Sequence, residues 1–205
     1  LGAQKNGLYD GCHATPMDLH MKNYGGLDLE PRERKNYRKI CYFLGIMINE
    51  KGQRFLDEGK NFRNYTYAQY GRKVLEQPNH FAWQIFDSKV FDLLYEEYRF
   101  HDAHFIEAQT INELIASIDE IDKKQALNTI DEYNFSVNEN ITFDPTILDG
   151  KCTLGLKIKK SNWAQKIDKG PFRAYPVTGG ITFTYGGLKV NPDGAVLNIH
   201  KKPIN

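Results

Sequence analysis

The chain has 205 residues, room for one full domain or one and a half. Its 27 Lys and Arg against 26 Asp and Glu leave a net charge of +1, which argues against the broad basic surface of a general nucleic-acid binder. Aromatics at 13%, with 12 Tyr and 12 Phe, supply rings for a core or a ligand cavity and weigh against disorder.

In chain order, residues 1–30 show neither helical nor strand period and read as a long loop or active-site wall. Residues 30–39 carry five basic side chains and read as a solvated face. A hairpin is expected next: a strand over 45–49, a turn at Glu50-Lys51-Gly52, and a return strand over 54–58. A helix over 65–76 is stopped by Pro78. Residues 81–86 (Phe-Ala-Trp-Gln-Ile-Phe) form a buried strand ended by Asp87. A helix over 89–98 puts Val90, Leu93, Leu94 and Tyr98 on one face. Thr110 and Glu113 make a capping box for a helix to about 118. Asp122 caps another, with Ala126, Leu127, Ile130, Tyr133 and Val137 at helical spacing. Residues 139–171 read as loop. Strands follow over 172–177 and 181–190, broken by Gly179-Gly180, then a turn at Asn191-Pro192-Asp193-Gly194 and a strand over 195–199. Strands and helices mix without regular βαβ alternation, so the class is α+β.

No membrane-length apolar run, signal peptide, G-x-G-x-x-G fingerprint or phosphate loop is visible. Cys12, Cys41 and Cys152 are widely spaced and odd in number, which reads as three reduced thiols in a cytoplasmic protein. His101 and His104 lack a third ligand nearby, so no metal site is expected. The chain starts at Leu1 and stops after Lys202-Pro203-Ile204-Asn205, and it reads as a piece of a longer one.

Three segments could carry chemistry. Gly11-Cys12-His13-Ala14-Thr15-Pro16 places a histidine ahead of a threonine, although a loop histidine is usually a surface residue. Arg63 sits among aromatics in Asn61-Phe62-Arg63-Asn64-Tyr65-Thr66-Tyr67, where it could fork to a carboxylate ligand or pair with nearby Asp57 or Glu58. Residues 175–188 hold four glycines and three threonines, and such bare backbone beside hydroxyls suits a flat or anionic ligand or marks a kinked sheet edge.

At these segments the sequence resembles the fumarate reductase and succinate dehydrogenase flavoprotein family, nearest its FAD-dependent tricarballylate dehydrogenase branch. Gly45-Ile46-Met47-Ile48-Asn49 with Gly52-Gln53-Arg54-Phe55-Leu56-Asp57-Glu58, then Phe62-Arg63-Asn64-Tyr65-Thr66-Tyr67, carry the likeness. Gln84-Ile85-Phe86-Asp87, Lys160-Ser161-Asn162-Trp163-Ala164 and residues 175–188 add to it.

The resemblance implies a capping, substrate-binding domain over 45–171, flanked by FAD-domain pieces over 1–44 and 172–205. It implies hydride transfer between flavin and a di- or tricarboxylic acid, with FAD held in the full-length protein. A fragment alone would be inactive and would not retain FAD. Arg63 becomes the proton-shuttling residue, one position further from the Arg54–Glu58 motif than in relatives. His13, Thr15, Arg38, Tyr67 and Thr182 become substrate-binding, and Thr184, Gly186 and Gly187 cofactor-binding. Phe183 replaces a histidine of fumarate reductases, and Tyr37-Arg38 replaces a Thr-Glu pair, which favours an acid with one more carboxylate. The implied partners are a small carboxylic acid, the remaining FAD domain and an electron-transfer partner. The competing readings are a non-catalytic binding or assembly module and a flavoprotein of cobalamin (precorrin) synthesis.

Overall fold

The structure is a computed structural model and describes residues 2–21, 30–32 and 34–204. Its elements in chain order are β1 (Lys5–Asp18), β2 (Ile46–Ile48), α1 (Arg63–Leu75), β3 (Phe81–Asp87), β4 (Ile106–Ala108), α2 (Ile111–Ala116), α3 (Lys123–Ser136) and β5 (Phe172–Leu188). The sheet order is β1-β5-β3-β2, with β4 also on β5. The β2–β3, β3–β5 and β4–β5 pairs are antiparallel, as the α+β class requires. The chain forms two compact units, residues 15–180 and residues 1–14 with 181–205. Among the described residues no helix is long and apolar enough to cross a membrane.

The larger unit is built on strand alternation. All seven residues of β3 are buried. Ala82 and Phe86 point with Met47, Tyr175 and Val177 into a core closed by Tyr70 and Val74 of α1. Phe81, Trp83 and Ile85 point with Ile46 and Ile48 to the other face, against Leu114 and Ile115 of α2 and Ala126, Ile130 and Tyr133 of α3. A period of two thus splits one apolar run between two helical layers. Each fully buried large side chain contributes about 1.5–3 kcal/mol.

The expected starts of α2 and α3 hold. Thr110 and Glu113 cap each other's amides, and the Asp122 carboxylate accepts from the Gln125 amide at 2.9 Å. α1 and β3 also lie where expected.

Elsewhere the structure departs from the sequence reading. The expected loop over 1–30 holds β1; residues 5–10 are exposed, so pairing with β5 rather than alternating burial makes the strand. Residues 22–29 of that expectation lie outside the described residues. The charge run is not wholly solvated: Lys39 is fully buried and Tyr37 nearly so. The return limb of the hairpin is not a strand and keeps one bridge, Ile48 to Arg54. Glu58 Oε1 accepts from the Met47 amide at 2.8 Å, and so occupies a donor that a returning strand could have used.

The expected helix over 89–98 is two 3₁₀ segments, Ser88–Leu93 and Glu96–Tyr98, with Leu94 and Tyr95 extended between them. The strands expected over 172–177 and 181–190 are one, β5. Gly179 does not break it. A Cβ there would lie 2.4 Å from the Gly71 carbonyl and 2.5 Å from Leu75, so the bare Cα lets α1 approach. In the smaller unit the turn at residues 191–194 forms, with Gly194 at φ +84° and Asn191 Oδ1 accepting from the Asp193 and Ala195 amides. The strand expected over 195–199 reduces to isolated bridges.

Candidate functional site

In the larger unit the site grows from the start of α1. Phe62 is the N-cap, with no side-chain cap bond and no acidic residue in the first turn. The helix start therefore carries partial positive charge with no side chain capping it, although the Tyr65 amide donates to the Phe62 carbonyl at 2.9 Å. Arg63 is its first residue, a cation where the dipole opposes one by about 0.3–1 kcal/mol. An anionic ligand would relieve both. The expected alternative, a pair with Asp57 or Glu58, does not form. Glu58 is taken by Arg54 and the Met47 amide, and Asp57 by Ser161 and the Gly59 amide. Among the described residues no carboxylate forms a salt bridge with Arg63.

Arg63 Nε instead donates to the Tyr95 hydroxyl at 2.8 Å, and its guanidinium carbon lies 4.8 Å from the centre of that ring. Both residues line a cavity of about 330 Å³ with Asn64 and the rings of Phe43, Phe62 and Trp163. The Trp163 indole donates to the carbonyls of Asp144 (3.0 Å) and Ile147 (2.8 Å). Its backbone sits at φ +56°, a strained conformation for a bulky residue. Asp149 holds it there: Oδ1 accepts from the Trp163 amide at 2.9 Å, while Oδ2 accepts from the Asp144 amide at 3.1 Å.

The other expected residues of this unit are arranged differently. Thr15 is buried, its hydroxyl 3.4 Å from Met17 Sδ. Tyr67 packs, partly buried, on the core beneath α1. Arg38 pairs with Glu97 at 3.2 Å. The adjacent Lys39 is fully buried; its Nζ donates to the Glu97 carbonyl at 2.8 Å and lies 3.6 Å from Asp18 Oδ2. Burial pushes the Lys39 ammonium down to about 8 against the pull of Asp18. Asp18 also lies 3.1 Å from His104 Nδ1 and accepts from the His20 and His104 amides.

In the smaller unit His13 and Thr182 meet. His13 Nδ1 is 2.6 Å from Thr182 Oγ1, and the Thr182 hydroxyl donates to the His13 carbonyl at 2.8 Å. Thr182 has one hydrogen, so with it on the carbonyl its oxygen must accept from Nδ1–H, which sets the ring tautomer. Phe183 stacks on the same ring, 4.3 Å between centres and 12° from parallel. The Thr184 hydroxyl donates to the Gly186 carbonyl at 2.8 Å. A Cβ on Gly186 would lie 2.8 Å from the Tyr9 ring, so packing explains that glycine. One on Gly187 would meet nothing within 4 Å, so space beside its Cα is open, while its carbonyl accepts from the Tyr9 hydroxyl at 2.5 Å. Ile181, Phe183, Tyr185 and Leu188 around it are exposed apolar residues. No group that could hold a metal ion occurs among the described residues.

Sequence reasoning missed Tyr95 and the cavity role of Trp163. Neither carries a local signal, because each reaches Arg63 only through the fold.

No family model matches the chain. The fold matches the open conformation of a flavocytochrome c3 fumarate reductase with a TM-score of 0.65 at 23% identity, covering 99% of this chain and 31% of that one. It also matches 3-ketosteroid delta1-dehydrogenase from Sterolibacterium denitrificans, TM-score 0.57 at 21% identity, over 98% of this chain and 37% of that one. In sequence it is 26% identical over 159 residues to the NADH:fumarate oxidoreductase of Klebsiella pneumoniae (strain 342), covering 78% of this chain. It is likewise 26% identical over 165 residues to "Probable fumarate reductase Ifc3" of Shewanella frigidimarina (strain NCIMB 400). The chain is thus similar in sequence and fold to flavoproteins of the fumarate reductase type. It spans 15% and 24% of the length of those two relatives. The chain therefore matches only part of each of these longer proteins, and its fold is consistent with a capping-domain piece.

Proposed function

We propose that the chain is the substrate-binding portion of an FAD-dependent oxidoreductase that moves a hydride between flavin and a di- or tricarboxylic acid. The observation that carries this reading is Arg63: a guanidinium without a carboxylate partner among the described residues, at an uncapped helix start, on the wall of an aromatic cavity. A substrate carboxylate that sheds water to enter such a cavity needs cationic donors in exchange. The names of the relatives support fumarate-like acids.

Addition of hydrogen across a carbon–carbon double bond needs a hydride on one carbon and a proton on the other. FAD, when bound, supplies or accepts the hydride. Arg63 supplies or accepts the proton through a guanidinium N–H and holds developing negative charge on the substrate. His13, held by Thr182, binds a substrate carboxylate. Gly187 and Thr184 would form one wall of a flavin site, since open space at a glycine Cα lies beside a threonine oxygen; Gly186 is accounted for by Tyr9. Tricarballylate-like acids are the finer proposal. Arg38 would engage a third carboxylate by exchanging Glu97 for it.

The test is turnover by the complete protein. Reduction of fumarate by reduced benzyl viologen, or oxidation of tricarballylate, is expected in the wild type and reduced by about 100-fold or more in Arg63→Lys, which keeps charge but not the planar fork. A flavin-loaded protein inert to both acids would overturn the substrate class. Normal turnover in Arg63→Lys would remove Arg63 from the chemistry.

A further inference from the structure

We propose that Tyr95 is the positioning residue of Arg63. This inference rests on the reading of Arg63 as the proton-transferring group. The Tyr95 hydroxyl accepts the Nε–H of Arg63 at 2.8 Å while the ring lies 4.8 Å from the guanidinium carbon. The hydroxyl and the ring of one side chain thus both engage the guanidinium, which restricts its position.

The choice of partner matters chemically. A carboxylate would form a bidentate fork with Arg63, occupy the nitrogens a substrate needs and neutralise the charge that attracts it. A phenol takes one hydrogen bond at Nε and leaves the net charge intact. The two terminal amines then form the working end. An arginine side chain left unrestrained samples many rotamers, and proton transfer is sensitive to misplacement of the donor by about 1 Å.

The backbone is shaped to deliver this contact. Leu94 and Tyr95 are extended, at φ/ψ −67/137° and −67/166°, between two 3₁₀ segments. Leu94 is buried, and the Tyr95 amide donates to Cys41 Sγ at 3.4 Å. The sequence pattern of residues 89–98 would otherwise continue as a helix, with Leu94 and Tyr98 on its buried face. The interruption falls at the residue that reaches Arg63, and local rules are broken most often where function demands it. Tyr95 and Arg63 are 32 positions apart, so nothing in local sequence couples them.

The experiment uses the complete protein, with fumarate reduction by reduced benzyl viologen and, separately, arginine-selective ¹⁵N NMR in which Arg63→Lys assigns the Arg63 Nε–H signal. Tyr95→Phe keeps the ring and removes the acceptor. It is expected to lower kcat about tenfold with KM for fumarate changed less than about twofold, and to speed solvent exchange of the Arg63 Nε–H. Tyr95→Leu, which also removes the ring, is expected to lose more. Wild-type kcat in Tyr95→Phe overturns the proposal, and so does unchanged Nε–H exchange. If the wild type is inert to fumarate and tricarballylate, the functional reading fails on its own, while the exchange measurement still decides whether Tyr95 holds Arg63.

Discussion

The Met47 amide and the Glu58 carboxylate share a hydrogen bond of 2.8 Å where a second strand was expected. One side chain thus satisfies a donor on β2, while Arg54 binds that carboxylate through Nε at 3.1 Å and through a second, terminal-amine contact. The Arg54–Glu58 motif of the family resemblance is therefore a buried structural clamp in the larger unit.

Glu58→Gln should destabilise the protein by about 3–5 kcal/mol, because the Arg54 guanidinium, which also donates to the Ile158 and Leu56 carbonyls, would stay buried without its counter-charge. Urea unfolding measures this. Arg54→Met with Glu58→Leu should recover part of the loss. A Glu58→Gln midpoint equal to that of the wild type would show that the clamp carries no stability.

Stability should rise between about pH 8 and 9. Burial pushes the ammoniums of Lys160 and Lys39 down to about 8 from the ordinary 10.5. Lys160 is fully enclosed, with Nζ donating to the Gly45 carbonyl at 2.6 Å. Between about 8 and 10.5 the unfolded chain holds more protons than the folded one, so stability increases with pH by up to about 1.4 kcal/mol per unit per group. The Cys41 thiol, which burial pushes up to about 12 from 9.0, acts in the opposite direction above pH 9. Urea midpoints at pH 7.5 and 9 test the window. Lys160→Met should flatten the profile, and a flat wild-type profile would refute the assignment.

Asp149→Ala should release Trp163 from its φ of +56° and cost about 1–3 kcal/mol. Trp163 is buried, so tryptophan emission should shift to the red. Fumarate turnover should fall as the aromatic wall beside Arg63 loosens. Emission and stability both unchanged would mean that Asp149 does not hold the cavity.

Thr182→Val removes the acceptor that orients His13 Nδ1–H. The expected result is a several-fold higher KM for fumarate with stability within about 1 kcal/mol of the wild type. An unchanged KM would separate His13 from substrate binding.

The elements that were legible share one property: their signal is local. The buried run of β3, the Thr110–Glu113 box, the Asp122 cap and the Asn191–Gly194 turn each satisfy their own hydrogen bonds or hydrophobic period within a few residues. Residues 5–10 of β1 were illegible because they are exposed and exist by pairing with β5. The break at Tyr95 was illegible because helical spacing continues through it.

At the site, the sequence by itself singled out Arg63, since an arginine among aromatics at a helix start is conspicuous. Its partner was a matter for the tertiary structure. Asp57 and Glu58 are nearest in sequence, yet the return limb turns both inward, to Ser161 and to Arg54. The packing of the extended Leu94–Tyr95 pair then brings a neutral hydroxyl to the guanidinium. Sequence determined that a cation stands at the start of α1. Only the fold decided that neither Asp57 nor Glu58 pairs with it, because burying the nearby carboxylates elsewhere is a long-range event that no local pattern encodes.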